Sequence, residues 1–509
     1  MFEGQPKGLF ALALANTGER FGYYTMLAVF VLFLQENFGW DTNEAGWVFG
    51  GFLGLVYFLP LIGGMLADKF GFGRMVTTGI SVMFIGYVLL ALPMGNGWAA
   101  IGTMAIALLL IALGTGLFKG NLQVMVGDLY NSPELAHKRD SAFSLFYMAI
   151  NLGSLFAPTA AIAIMNYAQN SLGYSLADSY HFAFGVACVS LIVSMGIYFA
   201  SRSTFRHVEG GHSKHAAAST SPGEVLSPEE TKQRVVALVL VFAVVIFFWM
   251  SFHQNGLTLT SFAKFYNEET DFTMRGMLFN VWNLVAIIIA VYGAFAIFQG
   301  KGNGRLFGLA AVAAAGIFLG YQFVNFDPTI GVKVEAPIFQ QFNPFYVVAL
   351  TPVSLAFFSW LAKKGKEPSA PRKIALGMLI AAAGFVVMLV GSIGLDAPAV
   401  QEAAVKNGQA VTRVSSDWLI YTYLVLTFAE LLLSPMGISF VSKVAPPKYK
   451  GMMMGGWFVS TAIGNFLVAI PGQLWGTLPL WFVWAVLVGL CVLSFFFLWS
   501  QMKKLDRVA

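Results

Sequence analysis

An all-α polytopic membrane protein, with two six-helix bundles and an extra two-helix hairpin, is the architecture this chain predicts. Three observations predict it. The first is composition: of 509 residues, 57% are hydrophobic and only 11% charged, against about 25% charged in a soluble domain. The second is a succession of fourteen apolar runs, each long enough to cross a bilayer. The third is the placement of Lys and Arg. With the N-terminus in the cytoplasm, Lys264, Arg275, Lys333, Lys406 and Arg413 fall outside and Arg20 and Lys119 fall within spans. The other 23 of the 30 basic residues lie in cytoplasmic loops and tails, an asymmetry that sets both termini inside.

The predicted spans lie near residues 7–36, 44–67, 74–94, 99–127, 141–167 and 179–201 in the first half. After a polar break they continue near 234–265, 274–299, 305–325, 344–362, 372–395, 417–442, 451–471 and 478–502. Residues 1–201 are thus read as an N-terminal bundle, 202–233 as a cytoplasmic linker and 234–273 as the first core helix of the second bundle. Residues 274–325 are an inserted hairpin, and 326–509 complete the second bundle. The linker carries His207, His212 and His215 among Ser, Gly and Ala, a composition that reads as a flexible connection, with metal binding as the alternative. It ends in Ser227-Pro228-Glu229-Glu230, a capping box with Pro at the first helical position.

Composition also narrows the function classes. The net charge of +5 resides in the loops of one membrane side, so nucleic acid is not the expected partner. Cys188 and Cys491, each in an apolar run, read as packing residues rather than a disulfide framework. No cleavable signal is expected at the first run, which has the length of a span. An enzyme is not expected either, since no cluster of metal ligands and no nucleophile–base arrangement is evident. No cofactor and no metal are expected; the lipid bilayer is the surrounding partner, and the reading is of a monomer in the cell membrane.

Glu19, Arg20, Lys119, His253 and Glu430 stand inside otherwise apolar spans. A charge at the bilayer centre costs roughly 2.5–3.5 kcal/mol or more, so such residues face a partner or a water-filled cavity. Two acids, two bases and an imidazole describe a polar site suited to a charged, zwitterionic solute. The loop after the second span reads Gly63-Gly64-Met65-Leu66-Ala67-Asp68-Lys69-Phe70-Gly71-Phe72-Gly73-Arg74. Its glycines permit a tight turn, and Asp68 can cap or ion-pair at a helix end that moves during gating.

That loop resembles the signature between the second and third helices of the major facilitator superfamily, with a faint echo at Trp360–Gly365. Other segments resemble the proton-dependent oligopeptide transporter family. Asn16-Thr17-Gly18-Glu19-Arg20-Phe21-Gly22-Tyr23-Tyr24 is similar to its ExxERFxYY motif, and Leu55–Pro60 to its LVYLTP segment. Phe146–Ser154 looks like FYxxINxGS. Gly114–Asn121, Phe248–Gln254, Asn343-Pro344, Glu430–Pro435 and Gly456–Phe458 extend the likeness in order. Asn343-Pro344 looks like the start of the family's eighth core helix, which places the extra hairpin between core helices 7 and 8. The resemblance implies import of di- and tripeptides by alternating access, coupled to protons. Three departures stand out: Asn16 replaces the first Glu of ExxER, Leu27 an arginine that helps hold the peptide carboxylate, and His253 a common acid.

The residues read alongside this resemblance as follows. Asn16, Glu19, Arg20 and Tyr23 share one helix face; Glu19 and Arg20 are either a self-neutralising pair or part of a proton and gating network with His253, Glu430 and Asp68. A Lys119–Glu430 bridge between the halves is expected in the empty state, to be competed away by a ligand carboxylate at Lys119 and a ligand ammonium at Glu430. Ser434 lies one turn beyond Glu430. Asn151 and Asn343 read as hydrogen-bonding residues for the solute or as interhelical glue. Tyr24, Tyr57, Trp249 and Trp457 read as the walls of side-chain pockets. Two alternatives stay open: an uncoupled facilitator of peptides or a related zwitterion, and a sensor that binds peptide without carrying it.

Overall fold

The apolar runs fold into helices whose ends are set by local chemistry. The computed structural model describes residues 4–132, 134–135, 139–210, 226–446 and 450–508. The first half comprises α1 (Lys7–Phe38), α2 (Thr42–Phe70), α3 (Phe72–Ala91), α4 (Trp98–Asp128), α5 (Arg139–Asn170) and α6 (Leu176–Ala200). The second begins with α7 (Pro228–Phe252), which continues through a 3-10 turn at His253–Gly256 into α8 (Thr258–Phe265). The hairpin α9 (Val281–Gln299) and α10 (Asn303–Val324) follows, then α11 (Phe342–Lys363), α12 (Ala370–Gly391) and the short α13 (Pro398–Lys406). α14 (Asp417–Val444), α15 (Lys450–Phe466), α16 (Ala469–Trp475), α17 (Leu480–Ser500) and α18 (Met502–Asp506) complete the chain.

The helix starts obey the rules for orphaned amides. Asp41 and Glu44 form a reciprocal capping box at α2, and Ser227 and Glu230 form the one expected at α7. α1 stops at Gly39, whose φ of 70° is left-handed. Among the described residues, thirteen segments are long and apolar enough to cross a membrane. α1 is outside that set because Glu19 and Arg20 lower its hydropathy, yet it runs 32 residues and is buried over most of its length. With α1 as the fourteenth crossing, both termini lie on one face, here the terminal face; the opposite one is the far face.

Two hydrophobic cores correspond to the two halves. One is built almost wholly from α1–α6, joined by Leu257 and Val468; the other from α7 to α18, joined by Leu155. Within the first, α2 and α4 approach closely: a Cβ on Gly63 would stand 2.1 Å from the Gly116 carbonyl oxygen. α10 leans on α9 and presents mostly exposed apolar side chains, as a lipid-facing hairpin should.

Several boundaries shift from expectation. The seventh helix starts at Pro228, where the capping box sets it, so its first turns precede the apolar run near 234 and occupy the end of the segment read as linker. Residues 274–279 form a 3-10 turn, so the hairpin's first helix starts only at Val281, capped by Asn280. That turn is held at the far face: Arg275 bonds Asp271, Glu268 and Asp417 together. Nearby, β1 (Thr270–Asp271) pairs antiparallel with β2 (Val332–Lys333). Residues 202–208 form two 3-10 turns rather than open linker, and Arg202 pairs with Glu209 beside the α2–α3 junction. His207 belongs to the second turn, while His212 and His215 lie outside the described residues.

Candidate functional site

A cavity of about 330 Å³ lies between the two halves, within the range of small-molecule sites. The first half contributes Arg20, Tyr24 and Leu27 from α1, Tyr57 from α2, Lys119 from α4 and Asn151 from α5. The second contributes Trp249 and His253, Asn343 at the start of α11, Glu430 and Ser434 from α14, and Trp457 from α15. Residues far apart in sequence thus converge on one space, as their intramembrane polarity predicts. Proline interrupts four of the helices around it, at Pro60, Pro158, Pro352 and Pro435. Such positions free backbone carbonyls and are tolerated where a cavity or neighbouring helices satisfy them.

The charged residues are distributed otherwise than expected. Lys119 and Glu430 do not bridge. The Lys119 ammonium sits 4.2 Å from the Tyr57 ring centroid, a cation–π contact. Glu430 Oε2 accepts a 2.8 Å hydrogen bond from Asn343 Nδ2, which also donates to Thr427 Oγ1 at 3.2 Å. An intact amide and a ring therefore do what the expected interhelical bridge was to do. The reason is geometric: each partner is on the same half as the charge it satisfies, so both charges stay available across the gap.

Glu19 and Arg20 form the self-neutralising pair. Arg20 Nε lies 2.5 Å from Glu19 Oε2 and Nη2 lies 2.5 Å from Oε1, with both side chains buried. The guanidinium also packs over Tyr23 at 4.5 Å. Only Arg20 of the two reaches the cavity wall. Asn16 is buried one turn earlier, away from the cavity, with its Nδ2 unpartnered. Asp68 is exposed in the last turn of α2, far from the cavity lining.

His253 closes a row of rings, 6.1 Å from Tyr57 and 5.3 Å from Trp249 by centroids. Its Nδ1 lies 3.3 Å from the Trp249 carbonyl. Trp249 Nε1 and Ser434 Oγ are buried at the cavity without a hydrogen-bond partner. Buried polar groups are normally satisfied, so these two mark where a solute or ordered water would bond. Asn151 Nδ2 donates to the Tyr147 carbonyl of its own helix. Trp457 packs on the bare backbone of Gly437, where a Cβ would meet its ring at 1.9 Å.

Sequence reading missed Gln123, Tyr147, Gln340 and Thr461, all on the lining. Gln123 is one turn from Lys119, and Tyr147 one turn from Asn151, so helical spacing could have found them. Gln340 precedes Asn343 in a 3-10 turn; its Nε2 donates to the Ala28 carbonyl across the halves and to Thr260 Oγ1, both at 3.2 Å. Tyr147 and Ile438 are exposed toward the terminal face. On the other side Thr42, Gln341 and Trp475 are buried. The cavity therefore opens to the terminal face and is shut at the far face.

The POT family model matches residues 74–221 and 314–475. The chain is 29% identical to the peptide transporter YePEPT of Yersinia enterocolitica, over 92% of this chain and 88% of that protein. It is 28% identical to dipeptide and tripeptide permease B of Salmonella typhimurium, over 91% and 86%. Its fold matches the crystal structure of a peptide transporter POT in complex with sulfate, with a TM-score of 0.73 at 24% identity, covering 100% of this chain and 96% of that one. A POT family transporter in complex with 5-aminolevulinic acid matches with a TM-score of 0.73 at 19% identity, over 99% and 98%.

Proposed function

The chain belongs to the POT family, and from that premise we propose that it imports di- and tripeptides by alternating access, in symport with protons. The observation that carries this reading is the pair of unbridged opposite charges in one cavity, Lys119 from the first half and Glu430 from the second. A short peptide in zwitterionic form has a carboxylate for the first and an ammonium for the second. We assign Asn343 and Asn151, which line the same cavity, to its polar groups, and Trp249 Nε1 and Ser434 Oγ offer free bonding capacity. A solute that touches both halves draws them together, which is the differential interaction that a population shift requires. We assign the terminal face to the cytoplasm, as the distribution of Lys and Arg supports, so that the conformation described above faces inward.

Proton coupling would run through Glu430 and His253. Glu19 is committed to Arg20, and Asn16 cannot exchange a proton. The same two features favour the second reading, an uncoupled facilitator. Counterflow of labelled dialanine in proteoliposomes tests carriage, and accumulation driven by an inwardly directed pH gradient tests coupling. Counterflow without accumulation would select the facilitator; binding without counterflow would select a sensor.

A further inference from the structure

The far face is closed by more than apolar packing. α2 crosses α15 and α16 so tightly that a Cβ on Gly50 would lie 2.6 Å from the Phe466 carbonyl oxygen. Beside this crossing, polar contacts between the halves converge on the α1–α2 turn. Thr42 Oγ1, at the first residue of α2, donates to Glu402 Oε1 at 3.2 Å. The same hydroxyl accepts from Gln35 Nε2 at 3.2 Å and lies 3.3 Å from Ser261 Oγ of α8. Lys264 of α8 reaches Glu36 of α1 at 2.6 Å.

Glu402 lies on α13, a short helix outside the spans. α13 is tied to its own half by Gln401, whose Nε2 donates to the carbonyls of Phe265 and Thr412 at 2.9 and 3.0 Å. The adjacent Glu402 is held by Trp475 Nε1, which donates to Oε1 at 2.6 Å from the end of α16. One carboxylate oxygen thus joins a buried indole of the second half to a buried hydroxyl of the first.

We propose that α13 is a strap that holds the far face shut, with Glu402 as its fastening between Trp475 and Thr42. The inference rests on the alternating-access reading, because a fastening matters only if the halves part. Opening would separate Thr42 from Glu402 and expose the carboxyl to water.

The strap is also pH-sensitive. Burial raises the Glu402 carboxyl above the ordinary carboxylate range, opposed by the Trp475 bond, Lys406, the Thr42 bond and Lys264. The charged and titratable groups facing it are Lys406 on its own helix, Lys264 and Tyr266 around α8, and Glu36 through Lys264. From α2 and α16 its hydrogen-bond partners are Thr42 and Trp475, which do not titrate. The sign follows from linkage. The closed strap has the higher carboxyl pKa and so binds the proton better than the open one. Closure is favoured most as pH falls through the raised value; above it the ionised, half-buried carboxylate still fastens the strap through both bonds, but less firmly. Acid on the far side therefore biases the protein toward the state that opens at the terminal face.

The test uses nitroxide labels at Asn96→Cys and Gln409→Cys, exposed far-face positions on opposite halves, in full-length protein lacking Cys188 and Cys491, in lipid nanodiscs. Distances are read by pulsed electron resonance at pH 5 and pH 8, with and without dialanine. Glu402→Ala and Thr42→Val should both move population to longer distances. Glu402→Gln, which mimics the protonated acid, should stay closed and lose the part of the pH response that the parent protein shows. Distances in Glu402→Ala and Thr42→Val that match a parent protein able to open would overturn the strap alone. A parent protein with one distance under every condition would overturn the alternating-access reading, and the strap with it.

Discussion

Lys119 and Glu430 illustrate how a side chain's nearest partner differs from its most obvious one. Opposite charges on different helices invite the expectation of a bridge, yet here each is satisfied within its own half, by Tyr57 and Asn343. Neither is then tied to the other across the cavity they share. Lys119→Ala and Glu430→Ala should each abolish the rise in melting temperature that dialanine produces, measured by thermal unfolding in detergent; persistence of that rise in both would move the binding site elsewhere. His253→Gln should lower uphill uptake while leaving counterflow intact, since it removes a titratable ring and keeps a hydrogen-bonding side chain. Equal accumulation by the variant and its parent would remove His253 from coupling. The residues of this site were legible because buried charge is rare in a span. Their pairing was not, because it depends on distances between helices that no spacing along the chain encodes. The Glu402–Thr42 contact, across 360 positions, was invisible for the same reason.

Helices α2 and α4 are held at a distance that only a missing side chain allows. Gly63 and Gly64 are neighbours in α2, and Ala is the better helix former at either. A Cβ at Gly63 would meet the Gly116 carbonyl at 2.1 Å, whereas one at Gly64 would meet nothing within 4 Å. Gly63→Ala should therefore destabilise by about 1–3 kcal/mol, the usual cost of overpacking, and lower the melting temperature. Gly64→Ala should leave it unchanged or raise it. Equal effects would mean that the contact relaxes without strain. At this scale the spans and the α7 capping box were readable from periodicity and cap chemistry. α13 was not, because nine residues without a strong apolar stripe carry no signal of a helix that packs against both halves.

The whole molecule combines two separately cored bundles, a cavity between them and a hairpin on one side. The fold was legible because fourteen apolar runs and a one-sided distribution of Lys and Arg leave few alternatives. The conformation was not, since which face of the cavity is shut depends on contacts between the halves, such as Thr42–Glu402, that no pattern along the chain encodes. Orientation is testable at the α9–α10 turn, residues 300–302, which shares the terminal face. A cysteine at Lys301 should resist a membrane-impermeant thiol reagent in intact cells and react once the membrane is permeabilised. Reaction in intact cells would reverse the assignment or unseat the hairpin.

The hairpin has a further effect, on the bilayer itself. Leu306, Phe307, Ile317, Phe323 and Val324 of α10 are exposed and apolar, so the second half offers acyl chains a longer shoreline than the first. Mismatch between a span and the hydrocarbon thickness costs fractions of a kcal/mol per ångström and adds up along that shoreline. A thinner or thicker bilayer thus strains the two bundles unequally, and membrane lipid composition becomes a load carried mostly by one of them.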